Sequence, residues 1–278
     1  MDGEFLNPKK IAIEGYSINY YDLGEGEAIL LLHGITTYSF IWRNIAPLLS
    51  TKYRVIVPDL LGCGDSDKPL DIPYSLTNHA NIMAKFIKAL GIERYHLVGH
   101  DLGGGISQII AVNYKSNIID LTLINSVAYD FWPVQPIIAM RTPVIRQMAM
   151  ATLDFGTFKL IVQRGLYNKS KCDEPLMKYY FKPMQTTEGR KAFLHFAHCL
   201  DNKNLTDITN KLHNLDVPVL IIRGEHDVYL SSKIADLLHE NIKGSKLILF
   251  EKGGHFIQED APEFIVEALT LFFTEEHT

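Results

Sequence analysis

The stretch Tyr95-His-Leu-Val-Gly-His-Asp-Leu-Gly-Gly-Gly-Ile106 decides the fold of this chain. It begins as a short apolar run and passes directly into a segment of helical periodicity. Gly99 and Gly103 stand two residues before and two residues after Asp101, which is the G-x-nucleophile-x-G pattern of a sharp strand-to-helix turn. Side chains at the two glycines would collide with the backbone, and the central residue is strained. We therefore expect Asp101 to project above a sheet edge, where a helix dipole favours its negative charge.

The rest of the chain alternates short apolar runs with segments of helical period. Unbroken apolar runs fit strands that are buried on both faces, and strand–helix alternation favours a parallel sheet between two layers of helices. An earlier segment of mixed alternation, Ile11 to Leu23, predicts an antiparallel strand pair at the sheet edge. The predicted fold class is α/β, with a mostly parallel sheet flanked by helices. Its predicted strands are Ala28 to Leu32, Arg54 to Val57, Tyr95 to Val98, Leu121 to Ile124, Val217 to Ile222 and Lys246 to Phe250, and its predicted helices are Phe40 to Leu49, Leu76 to Leu90, Gly103 to Tyr114, Ser231 to Asn241 and Pro262 to Phe273.

One stretch interrupts this alternation. Residues 128–212 contain no convincing buried strand, and helical segments rich in methionine and aromatic residues follow three early prolines. The stretch falls between the fourth and fifth predicted parallel strands, so we interpret it as a helical lid inserted over one end of the sheet. The predicted organisation is a core made of residues 1–127 and 213–278 with a cap made of residues 128–212. A cavity where the two meet would be apolar.

A nucleophile on such a turn needs a base and an acid that orients the base. His255 follows the last predicted strand and Asp227 follows the strand before it. Both positions are carboxyl ends of parallel strands, where α/β sheets place their sites. The order Asp101, Asp227, His255 is the order nucleophile, acid, base for this kind of sheet. Glu225 and Asp130 are the alternative acids.

Backbone N–H groups supply the predicted oxyanion hole. One is the N–H of Leu102, directly after the nucleophile, and the other is that of Ile35 in the loop after the first parallel strand. Gly34 would let this loop approach the site closely.

Composition excludes several classes of function. The 278 residues carry a net charge of −5 without a basic stripe, so nucleic acid is not an expected partner. Cys63, Cys172 and Cys199 are scattered, which predicts neither disulfides nor a metal site and favours a reducing, cytoplasmic setting. The N-terminus lacks the apolar region of a signal peptide, and no apolar run reaches the roughly 18 residues of a membrane span. The expected partner is a small apolar organic substrate, and no cofactor is expected.

With these residues assembled, the chain resembles the α/β-hydrolase superfamily over nearly its whole length. Within it, the chain is most similar to the aspartate-nucleophile branch, first to haloalkane dehalogenases and then to epoxide hydrolases. The matching pieces are His33-Gly34, Trp42-Arg43-Asn44, Pro58-Asp59-Leu-Leu-Gly-Cys-Gly-Asp-Ser-Asp-Lys-Pro69, Gly99-His-Asp-Leu-Gly-Gly104, Gly224-Glu-His-Asp227 and Gly254-His255.

Three positions depart from the family patterns. Dehalogenases of this type usually carry Trp directly after the nucleophile to hold the leaving halide, and many carry Asn after His-Gly; this chain has Leu102 and Ile35. Epoxide hydrolases usually show Pro two positions after His-Gly, where this chain has Thr36. Epoxide hydrolases use two lid tyrosines to protonate the opening epoxide oxygen, and Tyr129, Tyr167, Tyr179 and Tyr180 are available here. Trp132, at the start of the lid, could donate to a halide. The candidate substrate-pocket residues are Trp132, Tyr129 and Tyr167.

An aspartate nucleophile directs the chemistry. A carboxylate with an ordinary pKa of about 3.9 is ionised at neutral pH and can attack an sp³ carbon without a base. The base is then available to activate water against the resulting ester. A carboxylic ester would instead form an anhydride, which is a poorer route.

The leading hypothesis is a cofactor-free, dehalogenase-like hydrolase, with epoxide hydrolysis as the second. Esterase-like or thioesterase-like chemistry is a third. A non-catalytic receptor is the fourth, and the set Asp101, Asp227 and His255 argues against it.

Overall fold

The computed structural model of the chain describes residues 7–114, 117–133 and 154–275. Within these residues, eight strands form one sheet in the order β1-β2-β4-β3-β5-β6-β7-β8. The strands are β1 (Lys9–Ile13), β2 (Tyr16–Leu23), β3 (Ala28–Leu32), β4 (Arg54–Pro58), β5 (Tyr95–Asp101), β6 (Ile118–Ser126), β7 (Val219–Gly224) and β8 (Lys246–Phe250).

Strand pairing follows the predicted division into an antiparallel edge and a parallel centre. β1 and β2 pair antiparallel through a two-residue turn in which Glu14 and Gly15 have φ of 54° and 87°. Positive φ at both central residues matches the twist of a hairpin. β2 also pairs antiparallel with β4, whereas β3 to β8 pair with one another only in parallel. The predicted α/β class is confirmed.

Helices cover both faces of the sheet, because the central strands bury side chains on both sides. In β3, Leu30 and Leu32 pack into the hydrophobic cluster that includes α2 and α3, and Ile29 and Leu31 pack into the opposite cluster. The helices are α1 (Ala46–Leu49), α2 (Leu76–Ala89), α3 (Leu102–Asn113), α4 (Phe155–Gly165), α5 (Glu174–Phe181), α6 (Thr187–Cys199), α7 (Lys203–Thr206), α8 (Thr209–Leu212), α9 (Lys233–Asn241), α10 (Ile257–Asp260) and α11 (Pro262–Glu275).

One predicted helix is wrong in its extent. Phe40 to Leu49 forms a 3₁₀ turn (Ser39–Trp42) and the short helix α1 instead of one helix. Pro47 explains the break, because proline in a helix interior lacks the N–H and clashes with the carbonyl four residues earlier. Pro47 lies in the first turn of α1, where the missing N–H would have no partner within the helix, so the proline is tolerated there.

The predicted lid spans residues 128–212, of which 134–153 lie outside the described residues. Residues 154–212 form the helices α4 to α8 between β6 and β7. Aspartate or threonine side chains cap the longer ones: Asp154 accepts from the N–H of Thr157, and Thr186 from that of Gly189. Their use as a lid stays a prediction. In the described ranges, no helix combines the length and apolarity that crossing a membrane requires.

Candidate active site

Asp101 is the last residue of β5 and the N-cap of α3, with φ 52° and ψ −119°. This backbone conformation costs about 1–3 kcal/mol for a residue with a side chain. Two glycines make it possible. A Cβ at Gly99 would overlap the carbonyl of Gly103, and a Cβ at Gly103 would overlap the carbonyls of Leu32 and His33. The turn thus places a carboxylate at the sheet edge, where it is only 4% exposed.

Two backbone N–H groups reach this carboxylate. The N–H of Ile35 donates to Oδ2 of Asp101 over 3.0 Å, and the N–H of Leu102 also bonds the carboxylate. Gly34 allows the approach, since a Cβ there would overlap the Asp101 side chain. The structure therefore brings the two donors of the predicted oxyanion hole to the same group.

His255 is buried, and its Nδ1 lies 3.0 Å from Oδ2 of Asp227. That contact assigns the proton to Nδ1, which leaves Nε2 able to accept a proton. Oδ1 of Asp227 accepts from the N–H groups of Tyr229 and Leu230, at 2.8 and 3.1 Å. These bonds fix the carboxylate so that it orients the imidazole.

The alternative acids are placed differently from Asp227. Glu225 and Asp130 are both exposed, and Asp227 is buried against the imidazole. Arg223 supports the loop of Asp227 from below, because its guanidinium donates to the carbonyls of Asp227 and Leu230 at 3.3 and 2.7 Å.

Charges in this cluster depend on one another. Burial raises the pKa of the Asp101 carboxyl, against the opposing effects of His255 and the two N–H donors. Burial alone would lower the pKa of His255, but the charge and hydrogen bond of Asp227 outweigh it and raise that pKa above its usual value. Burial likewise acts to raise the pKa of Asp227, yet His255 and Arg223 hold it below its ordinary value. Asp227 is thus kept as an anion beside the imidazole of His255, which readily takes a proton.

Asn125, which sequence reasoning missed, holds the loop of His255. Its Nδ2 donates to the carbonyls of Gly254 and His255, both at 2.9 Å, and its Oδ1 accepts from the N–H of Gly224 at 2.9 Å. His100 adds a fourth bond, from Nε2 to the carbonyl of His255 at 2.9 Å. The available signal was position: Asn125 lies near the carboxyl end of β6, at the same sheet edge as the other site residues.

The predicted pocket residues have different surroundings. Trp132 is 2% exposed, and its indole N–H has no partner among the described residues. The hydroxyl of Tyr129 accepts from Nδ2 of Asn241 at 3.0 Å. Tyr167 is 41% exposed, with its ring 4.9 Å from that of His226. Of the three, Trp132 has a buried donor to offer; roles of all three in a pocket stay predictions.

The other two lid tyrosines also differ. Tyr179 stacks on Phe40 and lies under the guanidinium of Arg43, 4.9 Å away. Tyr180 is fully buried, its ring is 5.1 Å from that of Phe256, and its hydroxyl has no partner in the part of the chain that the structure describes. Burial holds the pKa of Tyr180 well above its ordinary value, so this hydroxyl keeps its proton.

The helical segment is tied to the loop of His255 by a carboxylate. Oδ2 of Asp260 accepts from the N–H groups of Tyr167 and Gly254, both at 2.9 Å, and Oδ1 accepts from the N–H of Asn168 at 3.0 Å. Gly254 directly precedes His255, so one side chain joins the loop of His255 to the helical segment.

A buried ion pair lies beside this carboxylate. Arg43 binds Glu259 with two parallel bonds of 2.6 and 2.8 Å. Lys171, from the helical segment, donates to the carbonyls of Glu259 and Asp260 at 2.7 and 3.0 Å. We call Arg43, Lys171, Glu259 and Asp260 the histidine-side contact.

Comparison with known proteins identifies the family. The profile of the α/β hydrolase fold family matches residues 27–262. Haloalkane dehalogenase 2 of Mycobacterium bovis is 30% identical over 265 residues, covering 91% of this chain and 90% of its own length. A cis-3-alkyl-4-alkyloxetan-2-one decarboxylase of Shewanella oneidensis is 28% identical, and the match covers 95% of this chain and 87% of the relative. A soluble epoxide hydrolase of Corynebacterium sp. is 27% identical and covers 94% and 95%.

These relatives match nearly the whole chain, and their family is the one that the elbow and strand order indicate. The chain belongs to the α/β-hydrolase-fold family and is a hydrolase homologous to haloalkane dehalogenases and epoxide hydrolases.

Proposed function

We propose that this chain hydrolyses the carbon–halogen bond of small, mainly apolar alkyl halides through a covalent alkyl ester on Asp101. The observation that carries the proposal is a buried carboxylate, not a hydroxyl, at the elbow, with two N–H donors on it and the pair His255–Asp227 beside it. A carboxylate suits displacement at an sp³ carbon, whereas a serine at this position would suit acyl transfer.

In the first step, one oxygen of Asp101 attacks the carbon that bears the halogen. The new C–O bond forms as the carbon–halogen bond breaks, and the electron pair leaves with the halide. Oδ2, which accepts from Ile35, becomes the carbonyl oxygen of the ester. No proton moves, so His255 is not required here.

In the second step, Nε2 of His255 takes a proton from water as the water oxygen attacks Cγ of Asp101. The N–H groups of Ile35 and Leu102 stabilise the oxyanion, and losing one such donor typically costs about 2.7–4 kcal/mol. Asp227 stabilises the imidazolium. The intermediate then collapses as the bond from Cγ to the alkyl oxygen breaks, the alkoxide takes the proton from His255 and leaves as the alcohol, and the Asp101 carboxyl releases its remaining proton to solvent, which restores the carboxylate.

The leaving halide needs a donor that Leu102 and Ile35 cannot supply from their side chains. Trp132 is our candidate, since its indole N–H is buried and has no acceptor among the described residues, and it follows β6 at the edge where the site lies. A buried donor without an acceptor costs about 1–3 kcal/mol, which a bound halide would recover.

Opening of a strained oxygen ring is the second candidate. Two of the three relatives are named for such substrates, an epoxide and an oxetanone. The specific observation in favour is Tyr180, whose protonated hydroxyl is buried without a partner among the described residues, near Phe256 and therefore near His255. It would protonate the ring oxygen while Asp101 attacks the ring carbon.

The test uses the ester itself. His255→Gln should still form the ester and fail to hydrolyse it, so the intact mass should rise by the alkyl group after incubation with 1-bromohexane, and the adduct should lie on the peptide that contains Asp101. The matched control, Asp101→Asn with His255→Gln, should gain no mass.

The same mass measurement on His255→Gln, which traps the ester, separates carbon–halogen hydrolysis from the opening of an oxygen ring. An alkyl halide adds its alkyl group and releases halide, whereas an epoxide adds its whole mass and releases none. If wild type turns over a substrate of either class but the trap stays unmodified, the covalent mechanism is wrong.

A further inference from the structure

A second group of polar side chains is buried where the start of α2 meets the helical segment. The ring of His79 lies 4.9 Å from Phe196 of α6 and 5.8 Å from Tyr74. The ring of Tyr74 lies 4.7 Å from His195 of α6. We call these four residues the α2-side contact. Tyr74 and His79 are completely buried.

Polar atoms of this contact are without partners. Both ring nitrogens of His79 and the hydroxyl of Tyr74 make no hydrogen bond to any described residue. His195, by contrast, is satisfied by the carbonyl of Ile72 at 2.7 Å. Leaving a buried polar group unpaired costs about 1–3 kcal/mol, and here three such atoms belong to two neighbouring side chains. Buried polar atoms without a partner need an explanation, and a bound group that supplies the missing hydrogen bonds is one.

This contact lies near the nucleophile. Leu76, three residues before His79 on α2, packs against Gly105, four residues after Asp101 in the first turn of α3. Nε2 of His33, whose neighbour Gly34 approaches the Asp101 carboxylate, accepts from the N–H of Leu60 at 3.0 Å, and a Cβ at Gly62, two residues further on, would overlap the ring of Tyr74. The unpaired atoms are thus at the carboxyl-end edge of the sheet, facing the helical segment.

Their chemistry selects a neutral ligand group. Burial lowers the pKa of His79 to about 3, so the ring is neutral and offers one donor and one acceptor. The hydroxyl of Tyr74 can do either. A metal ion is not indicated, because the described residues contain no group of three His, Cys, Asp or Glu side chains that could hold one.

We propose that Tyr74 and His79 form a polar subsite that binds a hydroxyl group of the substrate, so that the preferred substrates are halogenated or epoxidised alcohols and not plain alkanes. A hydroxyl is a donor and an acceptor at once and can pair with both side chains. This inference rests on the proposed function, and it makes the substrate bifunctional: an electrophilic carbon at Asp101 and a hydroxyl at the α2-side contact.

Halide release tests the subsite with matched probes. A series of ω-bromoalcohols is compared with bromoalkanes of equal chain length, using wild type, Tyr74→Phe and His79→Phe. We expect the kcat/KM of wild type to be higher for one bromoalcohol than for the bromoalkane of equal chain length. Each variant should lose about tenfold of this preference, because each lacks one hydrogen bond. The bromoalkane should be turned over alike by all three proteins.

A binding measurement separates this inference from the proposed function. Unreactive alcohols, such as 1,6-hexanediol, should raise the melting temperature of wild type more than that of Tyr74→Phe. If no protein releases halide or forms the ester, the proposed function fails, and the melting-temperature difference still decides the subsite. If wild type and the variants show the same preference for bromoalcohols and the same shift in melting temperature, the polar atoms of Tyr74 and His79 bind only internal water. The proposed subsite would then be wrong.

Discussion

Two of the places where the helical segment (residues 154–212) meets the core differ in how their polar groups are satisfied. At the histidine-side contact, the carboxylate of Asp260 accepts three N–H bonds and Arg43 pairs with Glu259 through two more. At the α2-side contact, the side chains of Tyr74 and His79 have no hydrogen-bond partner among the described residues. The Arg43–Glu259 pair and the side chains of Tyr74 and His79 are buried, and only the pair is satisfied.

The difference separates two requirements of the proposed function. The base must keep its position through the reaction, and the histidine-side contact joins its loop to the segment above by bonds that are already made. A substrate must instead find groups that are not yet bonded, and the α2-side contact offers these. Loss of a polar group should therefore destabilise the protein at the first contact and not at the second.

The largest effect is expected from Glu259→Gln, which leaves Arg43 charged and without its anion. Both side chains of this pair are almost inaccessible, with 4% and 10% exposure. Removing one partner of a buried pair typically costs 3–5 kcal/mol, so chemical denaturation should show a loss of about that size in the free energy of unfolding.

An exposed pair provides the control for that substitution. Lys182 and Asp65 also join the helical segment to the core, at 3.2 Å, but both are about half exposed. Asp65→Asn should cost at most about 1 kcal/mol. Equal losses in the two variants would mean that burial does not distinguish the histidine-side contact.

These two contacts also show where sequence reasoning works. Asp101, Asp227 and His255 were predictable because each follows a recognisable strand and because parallel strands end at one edge. The roles of Asp260 and His79 were not, since each depends on residues about 90 or more positions away that only the packed segment brings near. Periodicity indicates that a segment is helical, but it does not say which of its polar groups find partners.

The α2-side contact should affect stability in acid. The folded chain holds His79 neutral, with a pKa of about 3, while the unfolded chain protonates it near pH 6.5. As the pH falls from 6.5 towards 3, only the unfolded chain takes up this proton. The free energy of unfolding that is present above pH 6.5 is therefore lost at about 1.4 kcal/mol per pH unit. Between pH 6.5 and 4.5, the free energy of unfolding of His79→Phe should therefore fall by about 2–3 kcal/mol less than that of wild type.

Denaturation curves at both pH values measure this change, and His198→Gln is the control because His198 is exposed on α6, the helix that packs over His79. It should leave the pH dependence unchanged. A parallel loss of stability in wild type and His79→Phe would contradict the neutral, unpaired state of His79.

A smaller effect is expected at Asp260. Asn in its place keeps one acceptor oxygen and loses the other, so one or two of the three N–H bonds should weaken, at about 1 kcal/mol each. Hydrogen exchange should report it directly, as faster exchange of the amides of Tyr167 and Asn168. Asp154→Asn, which changes only the cap of α4, should leave these amides protected.

The smallest effect, and the sharpest comparison, comes from removing one tyrosine hydroxyl beside His255 and one at the α2-side contact. Tyr229, beside His255, donates to the carbonyl of Ile161 at 2.6 Å, so Tyr229→Phe should cost about 1 kcal/mol of unfolding free energy. Tyr74→Phe removes a hydroxyl that has no partner among the described residues, so stability should stay equal or rise by up to about 1 kcal/mol. The opposite signs are the test, since both changes delete one oxygen from a buried or half-buried ring. If Tyr74→Phe also destabilises the free protein, its hydroxyl is already bonded without a ligand, and the α2-side contact is as complete as the histidine-side contact.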